Sequence, residues 1–386
     1  MEFDFATAER IRFGVGVSAQ LGSIAASFGR RALLVTGAEP RRFPAVVDAV
    51  AQAGVAITPF AVRGEPTTEA AQEGVRVARD AGCELVIGLG GGSALDAGKA
   101  IAALMTNPGE PLDYLEVVGR GRPLSADPAP FIAVPTTAGT GSEVTRNAVL
   151  AVADRRVKVS LRSPKMLPNV AVVDPALTLG LPAKETADCG LDALTQVIEP
   201  YVSTRANPLT DALCREGIRR AARSLRRACE RGDDLEARTD MALTSLFGGL
   251  ALANAKLGAV HGFAGPIGGM FPAPHGAVCA CLLPHVVAAN ARALASRGGA
   301  EGAAVLERYR EVAVLLSGRA DATVDYGIAW LRTLVEDLGV ATLRAYGVDA
   351  RDLPAIVAKA ARSSSMQGNP IVLTEDELRA ILVAAL

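Results

Sequence analysis

The chain has 386 residues and nearly balanced charge, with 40 Lys and Arg against 41 Asp and Glu. The length suggests two or three domains, and the lack of a basic excess argues against a nucleic-acid-binding protein. Of the six cysteines, only Cys279 and Cys281 are closely spaced. This pattern argues against a disulfide framework or a zinc ribbon and favours reduced thiols in the cytoplasm. The first residues carry acidic side chains and no apolar segment, so we expect no signal peptide.

The first half of the chain alternates short apolar runs with helical patterns. The sequence predicts strands at 31–37, 55–62, 84–89, 131–134 and 170–173, and helices at 44–53, 68–81 and from Ser93 to about Met105. Short strands alternating with longer helices predict βαβ units and a mainly parallel sheet.

Two small-residue loops follow two of these strands. Gly90, Gly91 and Gly92 allow a ligand to approach the backbone closely, and the following helix offers unsatisfied N–H groups to a phosphate. Ser93 and Asp96 form an S-x-x-D signal for the start of that helix. Residues 135–145 carry hydroxyls and glycines at the end of the next strand, where open α/β sheets bind ligands. The alternatives are a tight turn without a ligand and a solvated Ser/Thr loop.

The second half is helical in pattern, with three- and four-residue apolar spacing at 211–231, 237–255 and 306–317. Thr374 and Glu377 form a capping box that opens the last helix. We therefore expect a domain boundary near 180–184, with one domain at 1–181 and another at 182–386.

Residues 257–290 contain no Asp, Glu, Lys or Arg and hold all three histidines of the protein. Repeated Gly and Pro interrupt the segment, whereas a membrane span needs about 20 mostly apolar helical residues. We interpret it as protein interior and expect no membrane association.

Five motifs, in order along the chain, resemble the iron-containing (group III) alcohol dehydrogenases. They are Gly90–Lys99 (GGGSALDAGK), Pro135–Glu143 (PTTAGTGSE), Asp192–Thr195 (DALT), Val260–Gly262 (VHG) and Pro274–Gly276 (PHG), and Asn369-Pro370 also looks like the family. The resemblance covers essentially the whole chain.

The resemblance implies an N-terminal α/β dinucleotide-binding domain and an all-helical C-terminal domain, the fold shared with dehydroquinate synthase. NAD(P) would lie across the cleft, and iron or zinc would polarise the oxygen of a small alcohol or aldehyde for hydride transfer. A homo-oligomer, such as a dimer, is implied as well. By motif match the expected cofactor contacts are Gly91, Gly92, Ser93, Asp96, Thr136, Thr137, Asn147 and Lys158. Gly37, at the position of the family's ribose-binding Asp, is expected to contact the cofactor as well.

The metal set of the family is an Asp, a His four residues later and two further His. Asp192, His261 and His275 match three of these positions, and a carboxylate with neutral imidazoles suits Fe²⁺ or Zn²⁺. Gln196 stands where the second ligand is usual, and its amide oxygen is a weaker ligand. Since three protein ligands suffice and the glycerol-dehydrogenase branch is similar, we expect weaker metal binding, with Gln196 as an additional candidate ligand. His285 matches no ligand position and is interpreted as structural.

A second departure is Gly265, because many members carry a histidine there, near the substrate oxygen. Its absence removes a candidate proton relay and opens room for a bulkier or polar substrate. This makes simple short-chain alcohols doubtful substrates. Maleylacetate-type and phosphono-aldehyde reduction are narrower alternatives.

The third departure concerns the choice of cofactor. Members often carry Val-Thr-Asp where this chain has Val35, Thr36 and Gly37. The Asp carboxylate, absent here, would select NAD by binding the 2′-hydroxyl of the ribose. Without that carboxylate, Arg41 and Arg42 could pair with the 2′-phosphate of NADP. The alternative is that both arginines are ordinary surface charges. We expect a modest preference for NADP.

Two other functions stay open from the sequence. A dehydroquinate synthase-like lyase would need a basic cluster for a phosphate-bearing substrate, for which Arg215, Arg219 and Arg220 are available on a solvated helix pattern. A relative that binds cofactor without catalysis is suggested by Gln196 and Gly265.

Overall fold

The computed structural model describes residues 2–39 and 42–386. The chain divides into two compact units. Residues 6–137 and 141–179 form the first, which we call the sheet unit. Residues 180–386, with 138–140 and 2–5, form the second, which we call the helical unit.

The elements of the sheet unit alternate as the apolar pattern predicts. The strands are β1 (Arg10–Phe13), β2 (Arg31–Thr36), β3 (Ala56–Ala61), β4 (Leu85–Gly90), β5 (Phe131–Pro135), β6 (Asn147–Val152), β7 (Val157–Arg162) and β8 (Val170–Val173). The helices are α1 (Leu21–Ala26), α2 (Pro44–Gln52), α3 (Thr68–Asp80), α4 (Gly92–Thr106) and α5 (Pro111–Tyr114). The five predicted strands are confirmed as β2, β3, β4, β5 and β8, whereas β1 and the β6–β7 pair were not predicted.

Within the described residues, six strands form one sheet in the order β1-β8-β5-β4-β2-β3, with every neighbouring pair parallel. Strand β4 is buried along its whole length, and so is β5. Burial on both faces explains their continuous apolar runs. Strand β3 lies on one side of β2, and the chain then crosses over to form β4 on the other side of β2. The sheet therefore has a topological switch point between β2 and β4. Strands β6 and β7 form a separate antiparallel pair.

The helical unit consists of long helices around one apolar core. They are α6 (Ala183–Val202), α7 (Pro208–Glu230), α8 (Leu235–Ala255), α9 (Ala259–Met270), α10 (His275–Arg297), α11 (Gly299–Ser317), α12 (Val324–Asp337), α13 (Leu353–Ala360) and α14 (Glu375–Ala385). The capping box of α14 is confirmed, because Thr374 Oγ1 accepts from Glu377 N at 3.2 Å and Glu377 Oε2 accepts from Thr374 N at 2.7 Å.

Helix α10 is long and apolar enough to cross a membrane, but 89% of its most apolar window is buried inside the protein. Helices α9 and α10 both come from the charge-free segment 257–290, and most of their side chains belong to the core of the helical unit. The segment is therefore mostly interior, and it buries His261 and leaves His275 partly exposed.

Candidate active site

The predicted phosphate loop lies at the carboxyl edge of the sheet, beside the switch point. Thr36 is in register with Leu89, and Gly90 with Pro135, so the residues that follow β2, β4 and β5 are neighbours. Thr136 N–H donates to Gly90 O at 2.9 Å and joins the second loop to the first. Ligands of open α/β sheets bind at such a position.

The start of α4 differs from the sequence prediction. The S-x-x-D signal placed Ser93 at the cap, but the N-cap is Gly91 and no side chain caps the helix. Ser93 lies inside the first turn. Ala94 N–H donates to Gly91 O at 3.0 Å, but no side chain caps the N–H groups of Gly92 and Ser93, which leaves them to an anion such as a pyrophosphate.

Asp96 does not cap α4, because its carboxylate makes longer-range contacts. Oδ1 accepts from Ser142 Oγ at 2.5 Å, and Oδ2 accepts from Val149 N at 3.0 Å. Lys99 Nζ lies 3.3 Å from Asp96 Oδ1 and donates to Ser142 O at 2.9 Å and to Asn147 O at 2.5 Å. Burial lowers the pKa of Lys99, although Asp96 partly opposes this shift. Asp96 and Lys99 together fix the loop after β5 against α4.

The other predicted cofactor residues lie in the same unit. The side chain of Thr137 packs beside Gly91, at 3.3 Å from where a Cβ would stand. Asn147 begins β6, and Lys158 of β7 makes an ion pair with Glu65 at 2.8 Å. Gly37 follows β2, and no described atom lies within 4 Å of where its Cβ would stand. Arg42 is exposed, whereas Arg41 lies outside the described residues.

The helical unit brings four metal-binding side chains together. The carboxylate of Asp192, the imidazoles of His261 and His275 and the thiol of Cys279 place their ligand atoms within 4.8 Å of one another. Asp192 Oδ1 lies 3.2 Å from His261 Nε2 and 3.8 Å from His275 Nε2. Nitrogen and oxygen ligands at about 2.1 Å from a tetrahedral ion are about 3.4 Å apart. These spacings therefore fit one divalent metal.

Three helices position this cluster. Asp192 lies in the middle of α6, His261 in the first turn of α9, and His275 at the start of α10 with Cys279 one turn later. Gly276 permits the close approach of α10 to α6, since a Cβ there would lie only 2.5 Å from the backbone oxygen of Asp188. A larger residue would therefore displace His275 from Asp192.

Glu199 of α6 holds the first turn of α9, a role that the sequence patterns did not indicate. Its Oε1 accepts from Val260 N at 2.7 Å, and its Oε2 accepts from His261 Nδ1 at 2.7 Å. Since a carboxylate only accepts, the proton of His261 stays on Nδ1 and Nε2 is left for a metal. Asn369 assists by accepting from Ala259 N at 3.1 Å, which gives the Asn369-Pro370 motif a structural role.

The electrostatics of the cluster favour an anionic Asp192. Burial raises the pKa of Asp192, but His275 and His261 lower it more strongly, to about 2. Burial lowers the pKa of His275, while Cys279 and Asp192 raise it, and the result is about 9. The pKa of His261 is raised as well, against the effect of burial, by Cys279 and Asp192. Cys279 and Asp192 thus favour positive charge at the two imidazoles, and perturbed pKa values of this kind are typical of functional sites.

The two departures from the family pattern take clear positions. Gln196 lies one turn beyond Asp192, its Nε2 donates to Gly139 O at 3.3 Å, and its buried Oε1 has no hydrogen-bond partner among the described residues. A hydrogen bond from Gln196 also helps to lower the pKa of Asp192. Gly265 lies one turn beyond His261 in α9 and has open space where a Cβ would stand. His285 is not part of the donor cluster among the described residues.

The arginines considered for a phosphate-bearing lyase substrate are paired with carboxylates. Arg215 binds Glu311 at 2.5 Å, and Arg220 binds Asp240 at 2.6 Å. Arg219 lies 3.9 Å from Glu216. The first two ion pairs join α7 to α11 and to α8, and the third lies within α7, so the lyase alternative gains no support from the structure.

Comparisons with known proteins agree with this arrangement. The family model described as iron-containing alcohol dehydrogenase matches residues 8–175, and the C-terminal model of the same family matches residues 186–386. A 1,3-propanediol dehydrogenase from Klebsiella pneumoniae is 37% identical over 365 residues, which cover 92% of this chain and 90% of that protein. The solved structure of a 1,3-propanediol oxidoreductase covers 100% of both chains at 34% identity and a TM-score of 0.91. An alcohol dehydrogenase from Oenococcus oeni covers 100% of both at 32% identity and a TM-score of 0.90.

Proposed function

Since the chain belongs to the iron-containing alcohol dehydrogenase family, we propose that it interconverts a small alcohol and its aldehyde or ketone at a metal held by Asp192, His261 and His275. It is an oxidoreductase of the alcohol dehydrogenase or aldehyde reductase class that uses NAD(P) and a divalent metal. The proposal adds the residues, the choice of cofactor and the substrate range. A homodimeric state and a cytoplasmic location stay predictions.

The donor cluster of the helical unit is the observation that carries this proposal. A carboxylate and two imidazoles lie within ligand distance of one another, with Asp192 and His261 buried and His275 partly exposed. Burial of such groups is unfavourable without a partner ion. A divalent metal held there supplies a Lewis acid for the oxygen of the substrate. Asp192 supplies negative charge, and Glu199 keeps His261 in the tautomer that presents Nε2.

The sheet unit supports the cofactor part of the proposal. The uncapped first turn of α4 would receive the pyrophosphate, and Asp96 and Lys99 would keep the surrounding loops in place rather than contact the cofactor directly. The open space at Gly37 would accept the 2′-phosphate of NADP. We therefore propose a modest preference for NADP over NAD.

Proton transfer would depend on solvent. Gly265 provides no side chain, so no imidazole of α9 accepts the alcohol proton one turn beyond His261. We propose that water carries this proton. The space left at Gly265 would also admit substrates with a second polar group, in line with the propanediol named for the two relatives.

A coupled assay tests the proposed function. NADPH and NADH oxidation would be followed over a panel of aldehydes, including 3-hydroxypropanal, with and without added Fe²⁺ or Zn²⁺. We expect metal-dependent turnover in the wild type, none in Asp192→Asn, and full turnover in Glu185→Gln, whose exposed carboxylate lies on the same helix. Cofactor binding without turnover on any substrate would instead support the relative that has lost catalysis.

A further inference from the structure

We propose that Cys279 is a metal ligand, which makes the site a carboxylate, two imidazoles and a thiolate, selective for Zn²⁺ over Fe²⁺. The inference rests on the proposed metal site at Asp192, His261 and His275. It adds a ligand that the resemblance does not supply, because Cys279 lies outside the family motifs.

The distances around the Cys279 sulfur support this assignment. Sγ lies 3.8 Å from His261 Nε2 and 3.7 Å from His275 Nε2. A sulfur at about 2.3 Å and a nitrogen at about 2.1 Å from a tetrahedral zinc are about 3.6 Å apart. The sulfur thus stands at ligand distance from both imidazoles, and it faces the same Nε2 atoms that face Asp192.

Helix geometry explains why Cys279 reaches the cluster and Cys281 does not. His275 and Cys279 are four residues apart on α10 and therefore share one face. Cys281 is two residues further along and points elsewhere, where its Sγ donates to Ala385 O at 3.5 Å. The two buried cysteines of α10 thus form a natural pair of test and control.

Gln196 is the other candidate for the fourth position, because its buried Oε1 has no hydrogen-bond partner among the described residues. Its amide nitrogen donates to Gly139 O, and its hydrogen bond to Asp192 stabilises the anionic form of that carboxylate. An amide oxygen is also a poorer ligand than a thiolate for zinc. Gln196 is therefore better explained as a positioning residue for Asp192.

A thiolate changes which metal the site prefers. Thiolate ligands favour Zn²⁺, whereas oxygen and imidazole sets discriminate less against Fe²⁺. With Asp192 the thiolate supplies two negative charges to a divalent cation, and binding releases the thiol proton. With four protein ligands the substrate oxygen would take a fifth position, an expansion that some catalytic zinc sites make in the transition state.

Cobalt substitution provides the decisive measurement, because a sulfur–Co²⁺ bond gives a charge-transfer absorption in the near ultraviolet that oxygen and nitrogen ligands do not give. We expect this band in the Co²⁺-loaded wild type and in Cys281→Ser, and its loss in Cys279→Ser. Zinc affinity, measured by chelator competition, is expected to fall at least about tenfold in Cys279→Ser and to stay within twofold in Cys281→Ser. The preference for Zn²⁺ over Fe²⁺ should shrink in the same variant.

Two further measurements keep the test independent of misfolding. Zinc-edge X-ray absorption of the wild type should show one sulfur at about 2.3 Å. The double variant Gln196→His/Cys279→Ser should regain zinc affinity without the cobalt band, because it restores the family's second histidine. A metal-loaded, active wild type without sulfur ligation would overturn the proposal for Cys279 and leave the proposed function intact. A wild type that is fully active without metal would instead overturn the proposed function.

Discussion

The contact between Glu199 and His261 gives a quantitative prediction for the substitution Glu199→Gln. The carboxylate accepts two N–H groups, from Val260 and from His261 Nδ1, each at 2.7 Å. A carboxamide of the same size has one acceptor oxygen. If it serves Val260, its NH₂ group faces Nδ1 and shifts the imidazole proton to Nε2, the atom that must bind the metal.

The size of the effect follows from the lost bond. A hydrogen bond to a charged group contributes about 1.5–3 kcal/mol. At about 1.4 kcal/mol for each factor of ten, metal affinity should fall about 10- to 100-fold, as is usual when the partner of a ligating histidine is removed. The fold should survive, because the substitution conserves volume and one of the two hydrogen bonds.

Chelator competition with Zn²⁺ at fixed pH measures this effect directly. Glu185→Gln is the matched control, since its carboxylate is exposed on the same helix and its affinity should equal that of the wild type. An affinity within twofold of the wild type for Glu199→Gln would refute the view that Glu199 sets the tautomer of His261. A circular dichroism melt of both variants checks that the comparison is made on folded protein.

Three further substitutions test other parts of the molecule. Burial raises the pKa of Glu143 to about 7, so the folded state holds this proton more tightly than the unfolded state and stability falls as pH rises between 4.5 and 7. From pH 5 to pH 8 urea melts should show a loss of about 2–3 kcal/mol from this group that Glu143→Gln lacks, and equal pH profiles would contradict the assignment. Gly37→Asp should shift the kcat/KM ratio of NADPH to NADH at least tenfold toward NADH, because its carboxylate would repel the 2′-phosphate. The substitution should be tolerated, since its Cβ meets open space. An unchanged ratio would place the 2′-position of the ribose elsewhere. Gly276→Ala should destabilise the fold by about 1–3 kcal/mol and weaken metal binding. Gly265→Ala is the control, because it has room for its methyl group and should do neither. Equal melting temperatures of the two variants would argue against the close contact between α10 and α6.

Continuous apolar runs made the central sheet predictable from the sequence. Strands such as β4 are buried on both faces, so every residue is apolar and the pattern is clear. The β6–β7 pair lacked such a signal. Its turn has Arg156 in the left-handed conformation, with φ of 50°, where a glycine would have marked the turn. Its strands are also only half-buried.

The N-terminus of α4 was predicted wrongly for a physical reason. The S-x-x-D pattern predicts local capping, but Asp96 is bound to Ser142 and to the backbone of Val149. Tertiary hydrogen bonds thus replaced the local one. The position of the loop itself was predictable, because successive glycines between an apolar strand run and a helical pattern mark the connection between the two elements.

The donor cluster shows both what a resemblance supplies and what it omits. Asp192, His261 and His275 come from matched motifs, and the structure brings them together. Cys279 was missed because its spacing from Cys281 was compared with zinc ribbons. The informative spacing was four residues from His275, which places both on one face of α10. Glu199 carried a similar signal, seven residues after Asp192 on α6.

Metal titration of the stripped enzyme tests whether catalysis needs an ion at Asp192, His261 and His275. The wild type, freed of metal with a chelator, would be titrated with Zn²⁺ or, without oxygen, with Fe²⁺, while NAD(P)H-dependent aldehyde reduction is followed. We expect activity to be absent at the start, to rise in proportion to added metal and to stop rising at one ion per chain, and we expect Asp192→Asn to regain none. Full activity of the stripped wild type, or recovery of Asp192→Asn at the same stoichiometry, would contradict this expectation.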